Sequence, residues 1–128
     1  KMGHGDTIVI ADGNFPAASV GRGAHVIRAD GLGVPELLRA ILPLFPLDAY
    51  VEHPVSLMQV VPGDPVKTPI WEEYRAAVRE HDARGDAAFA EVERFAFYEK
   101  AKGAYAIVAT GEKAVYANII LQKGVVKE

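Results

Sequence analysis

Apolar positions fall along this chain in short runs, each closed by glycine, proline or an acid. Residues 7–11 (TIVIA) are uninterrupted and rich in β-branched side chains, between Asp6 and the pair Asp12-Gly13. That pattern predicts a strand buried on both faces. Residues 56–61 (SLMQVV), 105–111 (YAIVATG) and 117–126 (ANIILQKGVV) predict further strands. Residues 92–97 (VERFAF) read as a strand or strand edge, and residues 98–104 (YEKAKGA) as a short helix.

A helical period takes over elsewhere. In residues 34–46 (VPELLRAILPLFP), Leu37, Leu38, Ile41 and Leu42 share one face, Pro35 suits a first turn, and Glu36 faces the positive end of the helix dipole. Residues 68–81 (TPIWEEYRAAVREH) give the clearest helix, with Thr68 as N-cap, Pro69 in the first position and Glu72 and Glu73 in the first turn. Residues 12–25 (DGNFPAASVGRGAH) read as a glycine-rich loop. Lys1 and Met2 before Gly3 have the look of a helix end, so a helix is expected ahead of them. Helices alternating with strands predict one α/β domain over residues 1–128, a three-layer fold with a mostly parallel sheet flanked by helices.

Composition narrows the function classes. Half of the 128 residues are hydrophobic, enough for a core, and the net charge is −3. A chain with pI about 5.8 lacks the basic surface that phosphate backbones require, so no nucleic-acid partner is expected. No apolar run reaches the length of a membrane span, so no membrane partner is expected either. The chain has no cysteine, which excludes disulfides, zinc–thiolate sites and cysteine nucleophiles, and suits a cytoplasmic location.

Several familiar chemistries also fail. His4, His25, His53 and His81 show no i, i+4 pairing, so no metal is expected. The Gly21/Gly23 and Gly31/Gly33 pairs lack the third glycine of a dinucleotide loop, and Ser19 and Ser56 sit in no nucleophile-elbow context. What remains is a polar set at strand ends: His4, Asp6, Asp12, Asp30, Asp48, Arg94, Tyr98, Tyr116 and Asn118. Taken singly, most of these fit loop, turn or half-buried structural roles.

Four blocks change that weighting: residues 2–17 (MGHGDTIVIADGNFPA), 27–51 (IRADGLGVPELLRAILPLFPLDAYV), 93–112 (ERFAFYEKAKGAYAIVATGE) and 116–125 (YANIILQKGV). Together they resemble the ribose pyranase and L-fucose mutarotase family (RbsD/FucU). The resemblance spans nearly the whole chain except about residues 63–90, and RFAFYEKA looks like the fucose branch. It implies L-fucose mutarotase activity: cofactor-free interconversion of α- and β-anomers by general acid–base ring opening and closing. Its alternatives are D-ribose pyranase activity or a monosaccharide-binding module without turnover. By the same resemblance, the histidine of GHGD, His4, is the general acid, and Asp48 of PLDAY is a second acid candidate. Asp12, Arg94, Tyr98 and Tyr116, Ala117 and Asn118 match the sugar-contacting positions.

The chemistry suits these residue types. Mutarotation needs one group to protonate the ring oxygen and another to take the anomeric proton. Positioned acid–base groups supply about 10²–10⁴-fold in such steps. Histidine as a side-chain type titrates near neutrality.

Geometry raises a tension. His4 and Asp12 are separated by eight residues across a strand, roughly 26 Å if extended. In a parallel sheet, Asp12 after the first strand and Tyr116–Asn118 before the last would lie at opposite ends. The expected resolution is a closed homo-oligomer with sites at subunit contacts, as the family's ring-like assemblies imply.

Overall fold

The computed structural model describes residues 1–127. Six strands form one sheet: β1 (Thr7–Ala11), β2 (His25–Ala29), β3 (Val55–Met58), β4 (Phe89–Val92), β5 (Ala106–Thr110) and β6 (Ile119–Gln122). Their spatial order is β2-β5-β1-β6-β3-β4. The pairs β1–β5, β2–β5 and β3–β4 are parallel, whereas β6 runs antiparallel to both of its neighbours, β1 and β3. Five strands therefore point one way and β6 alone is reversed.

Period-two alternation in β1 divides the core. Ile8 and Ile10 face α2 (Val34–Ile41) and α3 (Ile70–Arg79), packing with Leu38, Trp71 and Tyr74. Val9 and Ala11 face α1 (Ala17–Val20) and α4 (Arg94–Lys102), packing with Val20, Phe97 and Ala101. Helices thus cover both faces, as the sequence predicts for a three-layer α/β domain.

Several local expectations are corrected. The predicted strand edge at 92–97 ends at Val92, and residues 94–97 open α4. The reason is local: the Glu93 carboxylate accepts the backbone N–H groups of Phe95 and Ala96 and so caps the helix. The loop at 12–25 contains α1, and β2 follows it where no strand was expected. Four residues of β2 are exposed, so it lacks the burial pattern that betrays a strand. At α3 the Thr68 side chain makes no cap bond; its carbonyl accepts the Trp71 N–H instead. Lys1–Gly3 belong to no regular element.

Candidate active site

The chemistry gathers at the two ends of the sheet. At the carboxyl end of β1 and β3 lies a cavity of about 200 Å³. That is below the roughly 300–1,000 Å³ of drug-sized sites, a scale suited to a small ligand. Asp12, Arg94, Tyr98, Tyr116 and Asn118 line it, together with Asn14, Phe15, Met58, Val61 and Val115. A larger cavity of about 420 Å³, bordered by Leu42, Leu44, His81, Val126 and Lys127, is walled mostly by aliphatic and proline side chains.

The reversal of β6 builds the first cavity. Asn118 leads into β6 at the same end at which Asp12 leaves β1, and the Asp12 N–H donates to Asn118 Oδ1 at 2.7 Å. The expectation that these two residues sit at opposite ends is therefore wrong. The link from β5 to β6 is too short to carry the chain back to the other end, so β6 must start where β5 stops.

Asp12 is buried, and its carboxylate accepts the N–H groups of Asn14 at 3.0 Å and Ala117 at 3.3 Å. Burial pushes its carboxyl above the usual carboxylate range despite those bonds, and the charge of Glu112 adds to the rise. Asn118 spends its oxygen on Asp12, which leaves its amide N–H groups for a ligand. Ala117 is fully buried and acts through its backbone, its N–H on Asp12 and its carbonyl on the Tyr74 hydroxyl at 2.7 Å. Burial pushes the Tyr74 hydroxyl well above the usual phenol range, so it remains a donor to that carbonyl.

The other wall is aromatic. Tyr98, one turn into α4, packs its ring 5.8 Å from Phe15 at a 46° tilt. Arg94 at the start of α4 lies over the Phe95 ring at 4.6 Å. Tyr116 adopts φ +53°, the one non-glycine residue with positive φ among those described. Its carbonyl accepts the Trp71 indole N–H at 2.8 Å, and its hydroxyl donates to Asp64 Oδ2 at 3.0 Å.

The opposite end of the sheet holds the second group. His4 Nε2 lies 3.0 Å from Asp48 Oδ1, which leaves Nδ1 as the ring nitrogen able to meet a substrate. Asp48 is buried, while the His4 side chain is 44% exposed. Burial alone would raise the Asp48 carboxyl. The Tyr50 N–H, the His4 ring and the Gln122 amide outweigh it and hold the group below the usual carboxylate range. Gly124 permits this seat, because a Cβ there would stand 2.8 Å from the Leu47 carbonyl oxygen and 3.0 Å from Asp48 Cα.

His4 precedes β1 and Asp12 follows it, so at about 3.3 Å per strand residue β1 alone holds them roughly 16 Å apart. The structure brings Asp12, Arg94, Tyr98, Tyr116 and Asn118 to one cavity and sets His4 and Asp48 apart from them. Sequence reasoning missed Asn14, Phe15, Met58, Val61 and Val115 as cavity walls, and Gln122 as a partner of Asp48. Asn14 and Phe15 lay within residues 2–17; Met58 and Val61 lay in an apolar run read only as a strand, which ends at Met58. Among the described residues, no three His, Asp or Glu side chains gather as a metal would need. Among the described residues, no helix is long and apolar enough to cross a membrane.

The family model described as the RbsD / FucU transport protein family matches residues 1–126. The chain belongs to the RbsD/FucU family. A fucose mutarotase from Homo sapiens is 55% identical, over 98% of this chain and 82% of that protein. Among solved structures, FucU from Bifidobacterium longum superposes with a TM-score of 0.97 at 61% identity, covering 99% of this chain and 90% of that one. The fucose mutarotase from Streptococcus pneumoniae, solved in complex with L-fucose, gives a TM-score of 0.91 at 50% identity, covering 99% of this chain and 88% of that one. Kinship at this level within RbsD/FucU bears out the fold and the fucose-branch resemblance drawn from the sequence blocks.

Proposed function

We propose that this chain is an L-fucose mutarotase whose working site is completed by two copies of the chain. The cavity of one protomer binds the sugar, and His4 of another supplies the proton-transferring imidazole. The observation that carries this reading is the separation of His4 from a cavity otherwise equipped for a neutral monosaccharide. Fucose mutarotases at 50–55% identity, one of them solved with L-fucose, support the choice of sugar.

In this reading the sugar's C–H face lies against Phe15 and Tyr98, where the 6-methyl group of a 6-deoxy sugar is also accommodated. Asp12, Asn118, Tyr116 and Arg94 hold the hydroxyls. His4 protonates the ring oxygen as the hemiacetal opens, through the nitrogen that Asp48 leaves free, while the anomeric hydroxyl passes its proton to water. When the aldehyde recloses on its other face, the attacking hydroxyl returns its proton to the imidazole and the new anomeric oxygen takes one from water. Asp48 lies behind the ring, so its role is to fix and charge-match the imidazole, not to meet the sugar. In this reading the assembly is a closed homo-oligomer, the reaction needs no cofactor and makes the protein a carbohydrate isomerase, and the expected location is the cytoplasm.

Subunit mixing tests the shared site. His4→Ala and Asn118→Ala are each expected to lose most anomer exchange in L-fucose, read by saturation-transfer NMR with EDTA present. After subunit exchange, some sites carry both lesions and others neither, so activity returns. A mixture that stays inactive although the subunits have exchanged, or a fully active monomer on a sizing column, refutes the shared site. Exchange no faster than buffer across L-fucose, D-ribose, D-galactose and D-glucose refutes the enzyme.

A further inference from the structure

The segment between β3 and α3 falls in the part of the chain least like the family blocks, yet it closes one side of the cavity. Val61 lines the cavity, and the Val61 carbonyl accepts the Asp64 N–H at 3.0 Å in a tight turn. Gly63 takes φ +90° there, a conformation that favours glycine. Pro62, Pro65 and Pro69 stiffen the flanks. Asp64 Oδ1 accepts the Val66 N–H at 3.2 Å, which orients the carboxylate within its own turn. Its other oxygen, Oδ2, accepts the Tyr116 hydroxyl at 3.0 Å.

The consequence is chemical. A phenol has one proton to give. Tyr116 gives it to Asp64 and takes a weak bond from the Val61 N–H at 3.3 Å. Towards the cavity the Tyr116 oxygen is left only as an acceptor. Its backbone cannot turn to offer anything else, because the left-handed φ of +53° is held by the Trp71 indole on the Tyr116 carbonyl.

We propose that Asp64 is a positioning residue that sets the hydrogen-bond polarity of the site. By consuming the Tyr116 proton, it makes this cavity select a sugar hydroxyl that donates at that point. The inference rests on the assignment of this cavity to the sugar and adds to it a rule of recognition. A ligand with fluorine in place of that hydroxyl cannot donate, and so meets an acceptor with an acceptor.

Saturation-transfer NMR over a range of L-fucose concentrations gives KM and kcat for the wild type and for Asp64→Ala, Asp64→Asn and Tyr116→Phe. The 2-, 3- and 4-deoxyfluoro-L-fucoses serve as probes. Asp64→Ala is expected to raise KM about fivefold with kcat nearly unchanged, the worth of one oriented hydrogen bond. Asp64→Asn keeps an acceptor for the phenol and is expected to recover most of that loss. One fluoro position is expected to be disfavoured by the wild type and to recover relative affinity in Asp64→Ala, where the freed phenol can donate.

Wild-type KM and fluoro preferences in Asp64→Ala, beside a raised KM in Tyr116→Phe, would overturn the proposal alone. Equal losses in Asp64→Asn and Asp64→Ala would also overturn it, since they indicate only a disordered turn. A wild-type KM in Tyr116→Phe would overturn the assignment of the cavity, and the proposal with it.

Discussion

Replacing Asp48 by asparagine isolates what the carboxylate behind His4 contributes. The side chain keeps its shape, and its oxygen can still accept the Tyr50 N–H and face His4, both now 3.0 Å away. What disappears is the negative charge, together with the acceptor for the Gln122 amide, whose N–H group then faces a second amide N–H. A hydrogen bond to a charged partner is worth about 1.5–3 kcal/mol, against about 1 for a neutral one. The imidazolium formed during proton transfer thus loses about 0.5–2 kcal/mol of stabilisation, which lowers the rate roughly 2- to 30-fold. Removing the imidazole itself, in His4→Ala, is expected to cost about 10²-fold. The order of the two variants is the prediction: His4→Ala slower than Asp48→Asn, and both slower than wild type. Anomer exchange in L-fucose by saturation-transfer NMR measures it, with circular dichroism to confirm the fold. A wild-type rate in Asp48→Asn beside a failing His4→Ala would refute the charge argument. Equal losses in the two would instead make Asp48 a proton carrier in its own right.

Further outcomes follow from the same geometry. Asp48 is held below its unfolded value of 3.8, so its stabilisation is present above that pH and is lost as pH falls through the lower folded value. Urea midpoints across that acid range should therefore fall less steeply for Asp48→Asn than for wild type. Asp12 has the opposite sign: its carboxyl is raised, so charging it costs stability as pH climbs from 3.8 through the raised value. Tyr74→Phe strands the buried Ala117 carbonyl and should cost about 1–2 kcal/mol in denaturant unfolding. Gly124→Ala forces the Leu47–Asp48 backbone aside and should lower both the melting temperature and the exchange rate; an unchanged rate would show that the Asp48 seat tolerates displacement.

Legibility in the sequence followed burial and local chemistry. β1 and α3 were readable because an unbroken β-branched run and an acid-rich first turn have few alternative uses. β2 was not, because an edge strand exposed at four of five positions carries no burial pattern. Aromatic residues in RFAF argued for a strand, and the cap that overrode them came from a glutamate, outside the commonest N-cap types. The cavity residues came from the family resemblance; their spacing did not reveal them. Their meeting depends on the direction of β6, which no residue of β6 encodes. The short link from Thr110 to Ile119 did hold that information, since a chain without a crossover helix cannot return to the far end of the sheet. Asp64 was illegible because its importance lies in a partner 52 positions away.

The reversed strand β6 serves both ends of the molecule: Asn118 at its entrance faces the cavity, and Gln122 at its exit holds Asp48. Under the proposed sharing of sites between copies, a lesion that unseats β6 damages a chain's own cavity and the imidazole it lends to a neighbour. In assemblies that mix damaged and intact chains at random, a working site needs two intact contributors, so output falls as the square of the intact share. With equal amounts of both chains, about a quarter of the sites survive instead of half. In genetic terms, such an allele would be partly dominant over a normal copy, whereas a chain that never folds would merely halve the dose.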